Sequence, residues 1–133
     1  MSITHGEAQS ILKSCLAKAE ELGVVVAIAV VDDHGELVGL LRMSEPLYPF
    51  LPQAAQGKAM ATVVWRGQPS GSLTERAGAP LMQAVNKVYG DKLFYQQGAV
   101  PIKRGEQVIG AVGVGGASPQ QDEDIAFTGA AAI

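Results

Sequence analysis

The middle of the chain carries two cations at helical spacing. Lys58, Thr62 and Arg66 follow one another at i, i+4 and i+8 in a segment otherwise rich in Ala, Met and Val, and residues at this spacing share one face of a helix. Arginine binds a carboxylate through two parallel hydrogen bonds, whereas lysine binds it as a point charge. The pattern predicts either a pocket for a carboxylate-bearing small molecule or a solvated polar face.

Three further side chains are candidates for moving a proton. His34 precedes Gly35 at a predicted hairpin tip, and imidazole exchanges protons near neutral pH, although an exposed turn residue is the simpler interpretation. Glu75 follows Ser72 at the spacing of a helix-capping pair, which explains it without catalysis. Asp122 lies in the first turn of a predicted helix, where negative charge stabilises the helix dipole. Each is therefore a candidate general acid or base with a structural alternative.

Two glycines, Gly115 and Gly116, come between a predicted strand and a predicted helix. Backbone N–H groups at such a junction can bind an anion. The acidic residues of the following helical turn would repel a phosphate, so a small carboxylate fits better. The glycine spacing also differs from a dinucleotide-binding fingerprint.

The residue types give little support for a metal site or for a nucleophilic cysteine or serine. One cysteine and two histidines cannot build a Cys/His zinc cage, so no protein-held metal site is predicted. Cys15 falls on the apolar stripe of the first helix, which favours a small buried hydrophobe over a reactive thiolate. Ser70 lacks the glycine pattern of a nucleophile elbow. His5 and His34 remain as residues whose imidazoles can shuttle protons near neutral pH.

The composition describes the domain that must position these residues. A chain of 133 residues corresponds to one compact domain, 1–133, and 47% apolar residues with 17% charged residues indicate a packed core rather than disorder. A net charge of −3 without a basic block argues against nucleic acid as a partner. The chain lacks a membrane-length apolar run and a signal-peptide pattern at its start, so we expect no membrane association and a cytoplasmic location.

The first third of the chain predicts a helix followed by a hairpin. Apolar residues recur at helical spacing over Thr4–Leu22, and Thr4 with Glu7 forms a capping-box pattern. Val24–Val31 is an unbroken, β-branched-rich run, typical of a strand buried on both faces. A turn then leads to a second strand over Glu36–Met43, which predicts a β-hairpin.

A proline-rich loop and a small-residue helix come next. Three prolines interleave with Tyr48 and Phe50 between residues 46 and 52, which predicts an irregular loop that shapes a pocket or a subunit contact. Gln53–Trp65 resumes a helical pattern. Gly57 in its interior is unfavourable for a helix, and this indicates close packing against a neighbour.

The remainder predicts a helix over Pro80–Tyr89, strands over Leu93–Gln96, Ala99–Lys103 and Gln107–Val114, and a last helix from about Pro119. The predicted order is α-β-β-α-α-β-β-β-α. Such an order indicates an α+β fold in which helices pack on a central antiparallel sheet.

Three stretches carry a resemblance to a known family: Gly23–Val38, Lys58–Thr62 and the glycine-rich segment Val100–Glu123. In this order they resemble the GlcG/HbpS family, also known as a haem-degrading or haem-binding domain, which includes the C-terminal domain of PduO-type adenosyltransferases. The resemblance covers nearly the whole chain. It implies a profilin-like α+β fold with a five-stranded antiparallel sheet, assembled as homo-oligomers from dimers to octamers.

The resemblance also implies a function and a place for it. Members of the family are associated with haem or corrinoid binding and with catabolic operons, so haem is the expected cofactor, if the chain has one. The leading hypothesis is a cytoplasmic, oligomeric small-molecule-binding protein that takes haem or a related tetrapyrrole. Its expected ligand-binding residues lie on one helix, in one turn and at one strand end: Lys58, Thr62, Arg66, Gln97, Gly98, Gly115 and Gly116.

Two other functions remain open from the sequence. A small catabolic enzyme, an isomerase, hydratase or lyase, would anchor a carboxylate-bearing metabolite on Lys58 or Arg66 while His34, Glu75 or Asp122 moves a proton. An assembly subunit without a ligand would use its Ala- and Gly-rich helices for subunit packing.

Overall fold

One antiparallel sheet organises the structure. The computed structural model describes residues 2–133, and its strands are β1 (Ala27–Asp32), β2 (Leu37–Arg42), β3 (Ala99–Arg104) and β4 (Gln107–Gly115). They lie in the order β2-β1-β4-β3, and all neighbours are antiparallel. The helices are α1 (His5–Leu22), α2 (Leu51–Val64), α3 (Pro80–Val88) and α4 (Pro119–Ala130), with a 3-10 helix at Ser70–Arg76. The predicted α+β class is confirmed.

The strand β1 lies inside the sheet and is buried on both faces, as its β-branched sequence predicts. Ile28 and Val30 belong to a core of large side chains under α1 and α4. The alternate residues Ala27, Ala29 and Val31 face α2 and belong to clusters of small side chains. The two faces of the sheet are therefore packed differently.

Capping boxes fix the start of both helices on the large-residue face. The Thr4 side chain accepts a hydrogen bond from the Glu7 N–H, and the Glu7 carboxylate accepts one from the Thr4 N–H. Ser118 and Gln121 exchange the same pair of bonds at the start of α4. Each box satisfies backbone donors that a helix start leaves unpaired, so α4 begins at a defined place beside the end of β4.

On the other face, α2 approaches the sheet more closely than larger side chains would allow. A Cβ built on Gly113 of β4 would run into the Ala55 carbonyl and lie 2.9 Å from the Ala59 nitrogen. Gly57 similarly lies against the backbone carbonyl of Lys92 and the ring of Phe94. The close packing predicted from Gly57 is thus present, against the Lys92–Phe94 segment, whereas Gly113 is the residue that lets the backbone of α2 approach the sheet.

The prediction of five strands is wrong, because Leu93–Gln96 does not join the sheet. Every second side chain of the segment is buried, as the alternation predicted, since Leu93 and Tyr95 are both buried. Its backbone hydrogen bonds go elsewhere: the Leu93 N–H donates to the Asn86 side chain, and the Phe94 N–H donates to the Gly57 carbonyl. The segment packs on helices instead of pairing with a strand.

Two boundaries also differ from the predictions. The helix α2 begins at Leu51, two residues before the predicted start, because Pro52 occupies the first turn, where its missing N–H costs no helical hydrogen bond. The predicted capping box of Ser72 and Glu75 is absent, since both residues lie within the 3-10 helix and the Ser72 hydroxyl donates to the Pro69 carbonyl. None of the helices over residues 2–133 is long and apolar enough to cross a membrane.

Candidate functional site

A cleft opens where the start of β1 and the end of β4 meet the first turns of α2 and α4. Its volume is about 640 Å³, within the range of roughly 300–1,000 Å³ common for small-molecule sites. Its walls come from the proline-rich loop, α2, the 3-10 helix, the Phe94–Gln97 segment and the start of α4. Elements from across the chain thus converge on one concave surface.

Lys58 forms the floor of the cleft from the middle of α2. Its side chain is only 8% exposed, and its Nζ donates hydrogen bonds to the Val114 carbonyl at 2.8 Å and to Asp122 Oδ2 at 3.3 Å. A Cβ on Gly98, whose φ is +143°, would lie 2.8 Å from this Nζ. Glycine at position 98 therefore makes room for the ammonium group.

Asp122 completes the floor from the first turn of α4. Its Oδ1 accepts a hydrogen bond from the Ala117 N–H at 2.9 Å, while Oδ2 faces Lys58. Burial raises the pKa of the Asp122 carboxyl, and the neighbouring Lys58 charge opposes only part of that effect. The cleft floor is thus a buried pair of opposite charges whose acid is easier to protonate than an ordinary aspartate.

The outer wall of the cleft is apolar and aromatic. The rings of Tyr48 and Phe50 stack with centroids 5.2 Å apart, and both are about half exposed, while Leu47 is 72% exposed. Phe94 adds a further ring to the lining. This wall is the proline-rich loop, for which the sequence predicted a role in shaping a pocket or a subunit contact.

The structure brings many of the predicted site residues to this cleft. Those that line it are Lys58, Glu75, Gln97, Gly115, Gly116 and Asp122. Gly98 lies behind the Lys58 ammonium group. The residues that sequence reasoning left out of the candidate set are the aromatic ones, although the prolines around them marked the loop.

Other predicted residues lie away from the cleft. Thr62 is fully buried, and its hydroxyl has no hydrogen-bond partner within the described chain. Arg66 lies beyond the last residue of α2 with φ at +62°, so it leaves the Lys58 face and reaches a separate recess beside Asp33 and Glu106. The helical stripe predicted for these residues is therefore interrupted.

His34 lies at the opposite end of the sheet. Because β1 pairs Ala27 with Gly115 and Asp32 with Gly110, the turn after Asp32 is remote from the cleft. His34 is exposed there. Ligand atoms of Asp32, Asp33 and His34 lie within 4.8 Å of one another, but Asp32 accepts hydrogen bonds from the turn's own N–H groups, which accounts for this arrangement.

Comparison with known proteins places the chain among related molecules. A family model described as haem-degrading protein HbpS-like matches residues 3–131. The corrinoid adenosyltransferase PduO of Citrobacter freundii is 31% identical over 135 residues, and the match covers 100% of this chain but 39% of that enzyme. The chain therefore spans well under half the length of that relative.

Solved structures extend the comparison to the fold. The crystal structure of protein ORFY of Klebsiella pneumoniae has 27% sequence identity and a TM-score of 0.87, covering 98% of this chain and 89% of that one. The crystal structure of a PduOC:heme complex has 26% identity and a TM-score of 0.87, covering 100% and 96% of the two chains. The arrangement of sheet and helices that positions the cleft is thus shared with both.

Proposed function

The chain belongs to the HbpS-like family of haem-degrading proteins, and we propose that it binds haem or a related tetrapyrrole in the cleft between Lys58 and the Tyr48–Phe50 loop. The observation that carries this proposal is the combination of an aromatic, apolar wall with a single buried cation at the floor. A tetrapyrrole has the matching chemistry, a flat apolar ring with carboxylate side chains. The related PduOC structure, a heme complex, supports the same ligand class.

The side chains of the cleft fit such a ligand. The stacked rings of Tyr48 and Phe50 offer flat apolar surface for the macrocycle. Tyr48 is the one lining residue of a type that ligates haem iron, so its phenol oxygen would be the group to hold the iron, while the Phe50 ring would cover the macrocycle. Haem, when bound, supplies iron that can exchange electrons or bind oxygen.

Lys58 can anchor a carboxylate of the ligand. An ammonium group has three N–H donors, and Lys58 uses two of them on Val114 and Asp122. The Lys58 Nζ lies beside Gly115, since a Cβ there would be 3.7 Å from it, and Gly115 itself lines the cleft. Lys58 therefore holds one donor for a ligand oxygen.

A haemin titration followed at the Soret band tests this proposal. We expect saturation at a defined ratio per chain, and a Phe50→Ala variant to weaken binding by about 1 kcal/mol, roughly fivefold in Kd. Phe127→Ala is the matched control, because Phe127 is an exposed phenylalanine outside the cleft. Uptake that does not saturate, or equal weakening by both variants, would reject the cleft as the haem site.

One observation favours the catabolic enzyme as a second candidate. Asp122, with its raised pKa, lies beside Lys58 in the cleft, which is a suitable arrangement for a general acid acting on a lysine-anchored carboxylate. Glu75 lines the same cleft. Turnover of a small carboxylate that disappears in a folded Asp122→Asn variant would support this candidate, and unchanged turnover would remove Asp122 from the mechanism.

Assembly and location are further parts of the proposal. We expect a homo-oligomer, from dimer to octamer, and a cytoplasmic location. The observation that supports assembly is an exposed apolar stripe on α3, where Leu81 is 65% and Val88 is 78% exposed. Such surface is usually covered when it is extensive. Cell fractionation tests the location.

A further inference from the structure

Lys58 and Asp122 together suggest how the cleft accepts an acidic ligand. We propose that this pair forms a carboxylate subsite that takes up one proton when an acidic ligand binds, so that the complex carries one negative charge fewer than the free protein and the free ligand together. This inference deepens the proposed function, because it concerns the anchoring of the ligand in the same cleft. The ligand class is an apolar molecule that carries a carboxylate group.

The geometry places a ligand carboxylate next to the Asp122 carboxylate. The free N–H of Lys58 is on the same nitrogen that donates to Asp122 Oδ2 at 3.3 Å. A ligand oxygen that accepts this N–H therefore comes within a few ångströms of Asp122. Both partners of the existing pair are almost fully buried, with side chains 8% and 4% exposed, so water screens the new charge poorly.

The surrounding charges do not compensate a second anion. Lys58 is the one cation within 4 Å of the Asp122 carboxylate among the described residues, and Glu75 adds a further negative charge to the lining.

In the part of the chain that the structure describes, the elements packed on α4 place no cation against the Asp122 carboxylate. From α1, the side chains of Ile11 and Cys15 face it, and β4 contains no charged residue. The cations of β3 face other carboxylates: Arg104 donates to Glu7, and Lys103 lines a separate recess that also contains Glu123. On α4 itself Glu123 and Asp124 are acidic.

Two carboxylates that share one buried cation cannot both remain ionised at low cost, so the pair holds a proton between them. Burial already raises the pKa of the Asp122 carboxyl, and an adjacent anion raises it further. The proton then forms a hydrogen bond between the two carboxyl groups, while Lys58 stabilises the remaining negative charge.

Calorimetric titration of the full chain tests the inference with 2-naphthoate as probe. At pH 7, in two buffers of different ionisation enthalpy, we expect about one proton taken up per probe bound. As pH rises above 7, Kd should increase by up to tenfold per pH unit. The neutral analogue 2-naphthamide should bind without proton uptake.

Two substitutions test whether Asp122 is the group on which the proton uptake depends. Asp122→Asn should abolish the uptake and flatten the pH dependence, whereas Asp124→Asn, which changes an exposed carboxylate on the same helix, should leave both unchanged. The wild-type titration decides the question even if Asp122→Asn fails to fold. Binding of 2-naphthoate without proton uptake, or no binding at all, would overturn the subsite.

The same titration with haemin separates the two proposals. If haemin fails to bind while 2-naphthoate binds with a proton, the haem function fails and the proton-coupled subsite stands. If haemin saturates the cleft and 2-naphthoate binds with no proton uptake, the haem function stands and the subsite is overturned.

Discussion

Lys58 is the one charged residue of α2, and its burial connects the cleft chemistry to the stability of the fold. Sequence reasoning singled it out as a cation among small residues. The sequence could not reveal its partner, because Asp122 is 64 residues away and the pairing depends on how α4 docks at the end of β4. A helix-dipole role was a sufficient explanation for Asp122 until the fold placed it beside Lys58.

Replacing Lys58 tests how much the buried pair contributes. Lys58→Met leaves the Asp122 carboxylate buried without its cation, so we expect a loss of about 3–5 kcal/mol in the free energy of unfolding at pH 7. Without Lys58 the pKa of Asp122 rises further, and the folded state then holds a proton that the unfolded state has lost. Stability therefore falls as pH rises through the folded pKa, and the deficit should be smaller at pH 5.

Denaturant unfolding at both pH values measures this effect. Lys13→Met is the control, because Lys13 is exposed on α1 and its replacement should change stability little. A deficit of the same size at both pH values would show that lost packing, rather than an unpaired carboxylate, causes the destabilisation.

The pKa of the Glu7 carboxyl gives a second prediction at the scale of one residue. Arg104 donates two hydrogen bonds to the Glu7 carboxylate, at 3.0 and 3.1 Å, and this arginine is the main reason that the pKa of Glu7 is lowered. The lowered pKa of Glu7 stabilises the folded state at pH values above the ordinary pKa of glutamate. This stabilisation is lost as pH falls through the pKa that Glu7 has in the folded state.

We expect Arg104→Gln to raise the pKa of Glu7 toward its ordinary value, as followed by NMR titration of the carboxyl carbon. The Thr4 N–H also lowers it, so the return should be partial. Glu106→Gln, a change of an exposed neighbour, is the control. No change in the Arg104→Gln variant would mean that the ion pair does not persist in solution.

The contact between α2 and β4 holds the helix that carries Lys58 against the sheet. The small residues of α2 suggested close packing from the sequence, and Gly113 on β4 is the residue that permits it. We expect Gly113→Ala to cost about 1–3 kcal/mol, because the added methyl group meets backbone atoms that cannot move aside independently. Thermal unfolding checks the prediction.

Gly78→Ala is the matched glycine control, because no atom lies within 4 Å of the Cβ that it would add. Its effect on stability should be small. Equal melting temperatures for Gly113→Ala and Gly78→Ala would contradict the close approach of α2.

The elements with strong local signals could be predicted from the sequence, and those decided by tertiary contacts could not. Thr4 with Glu7 marked the start of α1, and the β-branched run marked the central strand. Leu93–Gln96 alternates like a strand, but its N–H groups donate to the Asn86 side chain and the Gly57 carbonyl. Alternation alone does not show whether such N–H groups pair with a strand or with another part of the chain.

The exposed surface of the whole molecule supports the expected assembly. Leu81, Val85 and Val88 follow at i, i+4 and i+7 along α3, and the two outer residues are largely exposed. We expect sedimentation equilibrium to give a mass at least twice the 13.8 kDa of the chain, and Leu81→Glu with Val88→Glu to lower it. A wild-type monomer at micromolar concentration would contradict this prediction.

The candidate site, as a property of the whole fold, was only partly visible in the sequence. Lys58, Gly115 and Gly116 were predicted together and do line one cleft. Arg66 was expected on the same face, but α2 ends at Val64 and the chain turns away. The predicted helix ended at Trp65, so the i, i+8 spacing that joined Arg66 to Lys58 extended past the helix end, and Arg66 does not reach the cleft.

The position of the bound ligand is the most direct test of the proposed haem site. We would record backbone amide shifts of the labelled protein as gallium protoporphyrin IX, a diamagnetic analogue of haem, is added. We predict that the largest changes occur at Gly115, Gly116, Ala117 and Tyr48, which surround the cleft. Largest changes at the turn around His34, or at the recess of Arg66, would contradict it.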